Sequence, residues 1–514
     1  MVKMQGNYLS TSKDMAWLQR QLNQLSDFEL TADSVALDSK TAVNDLCLDS
    51  RQVKSGDVFI ALSGFNVHGL DYAYQAERAG AVAVIAEPTK AQRAGFVRRQ
   101  KPLKIPVIEC RDLSEVLGDL ASAFYDKPSQ KMQVTAITGT NGKTSTAWLM
   151  MHALEQLGIK AGYIGTLGVG GIDQLTQIQN TTPSAIAIQK NMAKMLAAGC
   201  QHVCIEVSSH ALDQNRFNGT RVKTAVFTNL SRDHLDYHQT MDAYAAAKLK
   251  LFTHFKPDVS IINIDDSVGA KWLKSELSQQ QTLSYAIKNV NAEFKAENIE
   301  LLSAGIAFEL STQQQNLAIE TSLLGGFNVL NTLAVIAALD WAGHSGKEIS
   351  QVINKLQPVP GRMNRIDDEL NGVIVVVDYA HTPDALLQVL KALRDHTSGK
   401  LWCVFGCGGN RDKGKRAMMG EIAEQYADHV VLTDDNPRFE SPAQIIADIE
   451  TGMTQKPHVI NNRKQAMAYV LDHSQRGDII LIAGKGHEST QEVSGKLLPF
   501  NDIETAKELL QVAV

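Results

Sequence analysis

The stretch Val134-Thr-Ala-Ile-Thr138-Gly139-Thr-Asn-Gly142-Lys143-Thr144-Ser145, continued by Thr146 to Gly158, decides the fold. Its first five residues read as a buried strand bounded by glycine. Trp148, Met151, Leu154 and Leu157 then recur at helical spacing, and Gly158 reads as the helix stop. A strand, a glycine turn and a helix opening on Lys-Thr make a phosphate cradle. Backbone N–H groups at the helix start point at an anion, and the helix dipole favours negative charge there. Lys143 can reach the outer phosphates, and the Thr144 hydroxyl can hold Mg²⁺. A full Walker A pattern wants glycine where Ile137 stands, so the loop is a shorter variant. The bland alternative is a tight strand-to-helix turn with a solvated lysine; nucleotide binding is the stronger reading.

A chain of 514 residues holds two to four domains. Hydrophobic residues at 44% and charged residues at 21% describe an ordinary globular protein. A net charge of −6 without a lysine-arginine run argues against nucleic-acid and membrane-surface partners. The six cysteines form no Cys-x-x-Cys pair, so buried thiols, a reducing compartment and no disulfides are expected. The N-terminus lacks a basic-then-apolar leader and no apolar run approaches the ~20 residues of a spanning helix, so a cytoplasmic protein is expected.

The fold class is α/β in three domains. A central P-loop, ATPase-type parallel sheet is flanked by a small N-terminal α/β domain and a C-terminal Rossmann-like domain. The expected boundaries are 1–111, 112–358 and 359–514. Residues 1 to about 40 carry no readable chemistry. Val58–Leu62 and Ala81–Ala86 read as strands around a helix at Ala73–Arg78. In the second domain, Val203–Val207 delivers Glu206 at a strand end, and Ala225–Thr228 runs toward Asn229, His234, Asp236 and His238. Acidic and imidazole groups past strand ends suit metal and phosphate work in an open α/β sheet. Residues 260–320 read as strands and turns. A helix is expected over Thr332–Ala342, with Asn328 and Asn331 either as caps or as nucleotide contacts. Strands at 373–377, 401–405, 429–433 and 478–483 alternate with helices, which implies a parallel, doubly wound sheet. Each strand ends in a polar cluster: Asp378-Tyr-Ala-His, Gly406 to Arg416, Asp434-Asp-Asn-Pro-Arg438 and Gly484-Lys-Gly-His-Glu488.

These motifs occur in one order: Gly-Thr-Asn-Gly-Lys-Thr, Glu-Val-Ser-Ser-His, His-Leu-Asp-Tyr-His, Gly-Arg-Met, Asp-Tyr-Ala-His-Thr-Pro-Asp, Asp-Asn-Pro-Arg and Gly-Lys-Gly-His-Glu. From Leu48 to Glu488 the chain resembles the Mur ligase family of bacterial cell-wall synthesis. The resemblance implies ATP-driven amide formation through an acyl phosphate. It implies Lys143, Glu206, His234 and Lys248 as catalytic positions, with Thr144, Glu206, His234 and a carbamate on Lys248 as ligands of Mg²⁺. Periodicity alone reads Lys248 as a solvated lysine on a helix over Asp242–Leu251. ATP is expected at Gly139, Thr140, Asn141, Gly142, Lys143, Thr144, Ser145, Asn328, Asn331, Arg362 and Asp378. Because the last two lie in the third domain, a closing hinge is expected. The UDP-N-acetylmuramoyl-dipeptide is expected at Leu48, Ser50, Phe65, Asn66, Val67, Asn180, Thr181, Thr182, Ser208, Gln214 and Arg216.

The incoming amino acid is expected at Arg411, Asp435, Asn436, Pro437, Arg438, Gly484 and Glu488. Asp-Asn-Pro-Arg resembles the version that accepts meso-2,6-diaminopimelate, whose far carboxylate L-lysine lacks. Arg411 and Arg438 can meet that group in a planar, two-pronged contact. Polar recognition of this kind can discriminate by ~10⁴ or more. The weighed alternatives are a lysine-adding version, a folylpolyglutamate synthase, a regulatory ATPase and an inactive scaffold. The resemblance implies small-molecule partners alone, and a monomer is expected.

Overall fold

Met15, Leu18 and Leu22 recur three and four residues apart, and the segment folds as helix α1 (Met15–Leu25), whose apolar stripe is buried. Asp14 caps it, accepting from Trp17 N at 2.7 Å. The computed structural model describes residues 13–26, 28–30, 35–64, 67–87, 103–302, 305–368, 371–397 and 399–510. The chain divides into two units, Met1–Leu283 and Ser284–Val514.

The first unit opens with strands β1 (Phe28–Leu30), β2 (Leu46–Cys47) and β3 (Val58–Ala61), helix α2 (Ala73–Ala79), strands β4 (Ala83–Ala86) and β5 (Val107–Cys110), and helix α3 (Leu113–Phe124). The sheet order is β1-β5-β4-β3-β2, parallel except for β1 against β5. A second sheet follows: β6 (Gln133–Thr138), helix α4 (Lys143–Gln156), β7 (Ala161–Gly165), β8 (Gly168–Gly171), β9 (Gln174–Thr176), helix α5 (Ala185–Ala197), β10 (His202–Glu206), helix α6 (Ser209–Asp213), β11 (Thr224–Phe227), helices α7 (Leu235–His238) and α8 (Met241–Thr253), β12 (Val259–Asn263) and helix α9 (Ser267–Lys274). Its parallel core runs β7-β10-β6-β11, with β12 beside β11. Strand β6 leads to β7 on one side of it and β11 pairs on the other, so the loop after β6 sits where the strand order reverses, the usual ligand crevice of such a sheet.

The second unit carries an antiparallel meander of β13 (Phe294–Leu302), β14 (Gly305–Ser311) and β15 (Asn316–Thr321), then helices α10 (Phe327–Trp341) and α11 (Gly346–Ile353). The remaining elements are β16 (Asn364–Asp368), β17 (Val373–Asp378), α12 (Pro383–Arg394), β18 (Leu401–Phe405), α13 (Gly414–Tyr426), β19 (His429–Leu432), α14 (Pro442–Glu450), β20 (His458–Val459), α15 (Arg463–His473), β21 (Ile479–Ala483), β22 (Thr490–Val493), β23 (Lys496–Pro499) and α16 (Asp502–Leu509). Their sheet is ordered β16-β17-β21-β18-β19-β20. Alternate residues of each strand feed opposite faces: Val376, Cys403 and Leu481 pack in one core, Val375, Trp402 and Ile480 in the other.

Four features depart from the sequence reading. Helix α9 lies in the 260–320 stretch, capped by Asp266. Helix α10 begins at Phe327, because Gly325 at φ +87° turns the chain directly into it. Asn328 and Asn331 are therefore inside the helix and are not its caps. Strand β16 is an antiparallel edge on the parallel sheet. Strands β22 and β23 form a separate hairpin after the last parallel strand. All six cysteines are free thiols. Among the described residues no helix is long and apolar enough to cross a membrane.

Candidate active site

The glycine loop after β6 is held from β11. Thr140 N and Asn141 N donate to the Asn229 carbonyl and side-chain oxygens at 2.8 and 2.9 Å. The Thr228 hydroxyl donates to Asn141 O at 2.6 Å. Gly139 has φ +155°, and a Cβ there would lie 1.8 Å from Thr228 Oγ1, so only glycine lets the two strands' ends approach this closely. Lys143, first residue of α4, curls back: its Nζ donates to Gly139 O at 2.9 Å and Thr140 O at 2.8 Å. Burial lowers its pKa, against the pull of Glu206 and Asp233.

Glu206 ends β10 and is fully buried. It accepts from Thr144 Oγ1 at 2.8 Å, Thr166 N at 2.9 Å, Thr166 Oγ1 at 3.3 Å and the Tyr163 hydroxyl. Carboxylate, phosphate-loop threonine and helix N-terminus are thus in contact. Tyr163 and Thr166 carry this arrangement and went unassigned from sequence. Their signal is a tyrosine within the apolar strand β7, paired with β10 two residues before the glutamate.

Lys248 lies on α8 and is 1% exposed, which corrects the solvated reading drawn from periodicity. Helix α8 shows weak amphipathic contrast in its sequence, so the buried face is set by what packs on it. Lys248 Nζ donates to Gly139 O at 2.7 Å and sits 4.5 Å from the centroid of the Tyr244 ring. Two lysines therefore share one carbonyl. Burial and then the neighbouring Lys143 drive the Lys248 pKa well below its ordinary value, with Asp233 opposing. His234 precedes α7 at φ +52°, is 44% exposed and lies 3.5 Å from Asp233 through Nε2. Its ring stands 4.8 Å from His210 and 6.0 Å from Tyr244. Among the described residues no three His, Cys, Asp or Glu side chains form a ready metal cluster.

Beside this loop, Thr182 Oγ1 donates to Glu206 O at 2.8 Å and accepts from Ser208 N at 3.0 Å. Thr181 meets Thr166 hydroxyl to hydroxyl at 3.1 Å, and Arg216 Nη1 donates to Thr182 O. Gln214 donates to the Tyr237 hydroxyl at 3.2 Å. Asn180 is exposed. A cavity of about 900 Å³ is lined by Leu48, Gln214 and Arg216. Another of about 500 Å³ is lined by Leu48, Ser50 and Val67. The structure thus places Leu48, Gln214 and Arg216 on one cavity and Leu48, Ser50 and Val67 on another, with Thr181, Thr182 and Ser208 bonded beside Glu206 and Asn180 bonded to none of them among the described residues; Phe65 and Asn66 lie outside the described residues.

In the second unit, Asp378 ends β17. Its buried carboxylate accepts from Met363 N and Ala380 N, both at 2.7 Å, and burial raises its pKa against those bonds and Arg362. The Arg362 guanidinium lies 5.1 Å from the centroid of the Tyr379 ring. Asn328 is already engaged, donating to Leu324 O just ahead of the helix at 2.7 Å and accepting from Asn331 at 2.9 Å.

Asp435, Asn436, Pro437 and Arg438 follow β19. Asp435 is buried and its Oδ2 has no hydrogen-bond partner among the described residues. A Cβ on Gly484, at φ +117°, would lie 2.7 Å from that oxygen. Burial pushes the Asp435 carboxyl up, against Arg463 and Lys485. Asn436 Nδ2 donates to Glu488 Oε2 at 2.8 Å. Arg438, at φ +54°, donates from Nε to Glu492 at 2.9 Å and from Nη1 to Gly409 O at 2.9 Å. Arg411 is exposed, and a Cβ on Gly408 would lie 3.0 Å from Arg438 Nη1 and 3.7 Å from Arg411 Cγ. The expected amino-acid residues thus form one neighbourhood. Sequence reasoning missed Lys485 and Glu492, which bond directly to its members.

The chain is similar to known proteins along most of its length. The Mur ligase family catalytic domain matches residues 43–125, the Mur ligase middle domain 137–339, and the Mur ligase glutamate ligase domain 361–486. The UDP-N-acetylmuramoyl-L-alanyl-D-glutamate–2,6-diaminopimelate ligase of Xylella fastidiosa (strain 9a5c) is 42% identical over 474 residues, 91% of this chain and 94% of that protein. The ligase of the same name from Coxiella burnetii is 41% identical over 495 residues, 95% of this chain and 99% of that protein. A solved structure of a UDP-N-acetylmuramoyl-L-alanyl-D-glutamate–2,6-diaminopimelate ligase superposes with a TM-score of 0.72 at 34% identity, covering 98% of this chain and 99% of that one. With its phosphate loop, its three matching domains and relatives alike over nine-tenths of its length, the chain belongs to the Mur ligase family.

Proposed function

We propose that this chain is an ATP-dependent amide ligase that joins meso-2,6-diaminopimelate to UDP-N-acetylmuramoyl-L-alanyl-D-glutamate in peptidoglycan precursor synthesis. The relatives above carry that activity in their names. Within this chain, the observation that carries the reading is the convergence of Thr144, Glu206 and Lys248 on one glycine loop.

A carboxylate oxygen of the D-glutamyl residue attacks the γ-phosphorus of ATP, ADP departs, and an acyl phosphate forms. The amine nitrogen of diaminopimelate attacks the acyl carbon. The tetrahedral intermediate then expels phosphate, and the nitrogen gives up its proton. Phosphoryl transfer needs positioning and charge neutralisation more than covalent help. Lys143 exchanges its two carbonyl partners for phosphate oxygens, and the N–H groups of residues 142–145 at the start of α4 face the same charge. Asn328, Asn331, Arg362 and Asp378 are the proposed further nucleotide contacts.

Thr144 Oγ1 and Glu206 offer hard oxygen donors of the class Mg²⁺ takes, with His234 and a carbamate on Lys248 completing the proposed set; a cation bound there neutralises phosphate charge. Carbamylation joins CO₂ to a neutral amine with loss of one proton. The depressed pKa of Lys248 supports it. The Leu48, Ser50 and Arg216 cavities are the proposed seat of the sugar nucleotide. Asp435 Oδ2 is an acceptor suited to the ammonium of the incoming amino acid, and Arg411 and Arg438 to its far carboxylate. A cytoplasmic, monomeric enzyme is part of the same proposal.

Phosphate release with ATP, Mg²⁺ and the sugar-nucleotide dipeptide tests it, run with diaminopimelate, with L-lysine and with neither. Release that depends on diaminopimelate, with a product heavier by one such residue, is expected. Release with lysine alone overturns the specificity. Release indifferent to both overturns the ligase.

A further inference from the structure

Lys485 has no part in the chemistry above, yet it is fully buried at the C-terminal edge of the sheet. A buried ammonium is costly unless its charge and donors are matched. Here the matching groups are two of the proposed amino-acid contacts. Lys485 Nζ donates to Asn436 Oδ1 at 3.0 Å and to Glu488 Oε2 at 2.8 Å. Gly484 at φ +117° and Gly486 at φ +53° flank it, so the chain turns on either side and drives the side chain inward.

The donor pattern fixes both neighbours. Lysine only donates, and so does the backbone N–H of Glu492, which also reaches Asn436 Oδ1 at 2.9 Å. The amide oxygen of Asn436 must face these two donors, so its Nδ2 must face Glu488. Glu488 Oε2 then receives two hydrogen bonds and half of the carboxylate is spoken for. Oε1 is the oxygen left to a ligand. The chain of contacts continues through Glu492 to Arg438.

We infer that Lys485 is a positioning and specificity-determining residue for the incoming amino acid: by fixing Asn436 and neutralising Glu488, it makes the pocket suit a side-chain end of zero net charge. This rests on the ligase reading above. The far end of diaminopimelate carries one ammonium and one carboxylate and is neutral overall. The far end of L-lysine is a bare cation. Removing the Lys485 charge leaves the pocket one unit more negative, which favours the cation over the zwitterion.

The test is steady-state kinetics of K485M and of K485Q, each with diaminopimelate and with L-lysine, and of K485M/E488Q. The two single variants should raise KM for diaminopimelate at least tenfold, with KM for ATP and for the sugar-nucleotide dipeptide within about twofold of wild type. They should also lower the diaminopimelate-to-lysine ratio of kcat/KM at least tenfold. K485M/E488Q removes one charge of each sign and should recover part of that ratio; it also stands in if the single variants do not fold. An unchanged ratio, or a uniform rise in all three KM values, overturns the inference and leaves the ligase standing. Wild-type phosphate release that ignores diaminopimelate overturns the ligase and this inference with it.

Discussion

Replacing Glu206 by glutamine separates what this carboxylate does for the fold from what it does for the reaction. The side chain accepts four hydrogen bonds, from Thr144, from Tyr163 and twice from Thr166. The Thr166 backbone N–H cannot turn round, so the glutamine oxygen must stay where Oε1 is now. Its NH₂ then takes the place of Oε2, facing the hydroxyls of Thr144 and Thr166, and both can rotate to accept. All four contacts survive in neutral form. A hydrogen bond to a charged group contributes about 1.5–3 kcal/mol and a neutral one about 1. Relief from burying a charge offsets part of the difference, leaving a net loss of about 1–2 kcal/mol. At roughly 2–4 °C per kcal/mol for a domain of this size, the melting temperature should fall by only a few degrees. Glu206→Ala, by contrast, orphans Thr166 N–H and the Tyr163 hydroxyl around a new cavity and should cost about 3–5 kcal/mol. Turnover should respond differently, since Glu206→Gln no longer presents an anionic oxygen beside the phosphate loop. A fall in kcat of at least about 10²-fold is expected. Thermal melting and diaminopimelate-dependent phosphate release read the two effects. Glu206→Gln with near wild-type turnover, or one as unstable as Glu206→Ala, would refute the reasoning.

Lys248→Ala should abolish phosphate release and Lys248→Arg should not restore it, because a guanidinium does not form a carbamate; full activity in the arginine variant would sink the carbamate. In CO₂-depleted buffer, the Lys248 pKa lies below its ordinary 10.5 in the folded state. Between those values the unfolded chain holds a proton that the folded one has released, so stability rises with pH. The melting temperature of wild type should therefore climb relative to that of Lys248→Met as the pH is raised toward 10.5; parallel curves would contradict the burial argument. Arg438→Ala should lower diaminopimelate turnover by about 30- to 10³-fold while calorimetry finds dipeptide binding unchanged; equal loss of both would make the residue structural.

Local signals made the phosphate loop legible. Glycine, lysine and threonine between an apolar strand and a helix leave few other conformations, and the helix α4 follows the spacing of Trp148, Met151 and Leu154. Strands β17 and β21 of the second unit were equally plain, because they are buried and read as runs of Val, Ile and Leu. The burial of Lys248 was not legible, since it depends on a carbonyl 109 positions away in the chain. The same holds for Tyr163 with Glu206 and for Lys485 with Asn436, where strand order brings together residues that no period connects. Of the two readings open for Asn328 and Asn331, the cap fails: asparagine before an apolar run is the usual cap signal, whereas here Gly325 had already turned the chain.

Arg438 does not stand alone in its loop. Its N–H donates to Glu492 O, Ser494 N–H donates to its carbonyl, and it bridges to Val493, so the loop after β19 is sewn to the hairpin of β22 and β23. Exchanging Arg438 for an uncharged residue would strand the carboxylate of Glu492 while leaving the backbone seam to hold the loop alone. Substrate preference in this architecture should therefore change hands by paired inheritance. A chimaera that transplants residues 434–438 without 488–495 would carry a mismatched joint, and the transferable unit of specificity is the loop together with its hairpin.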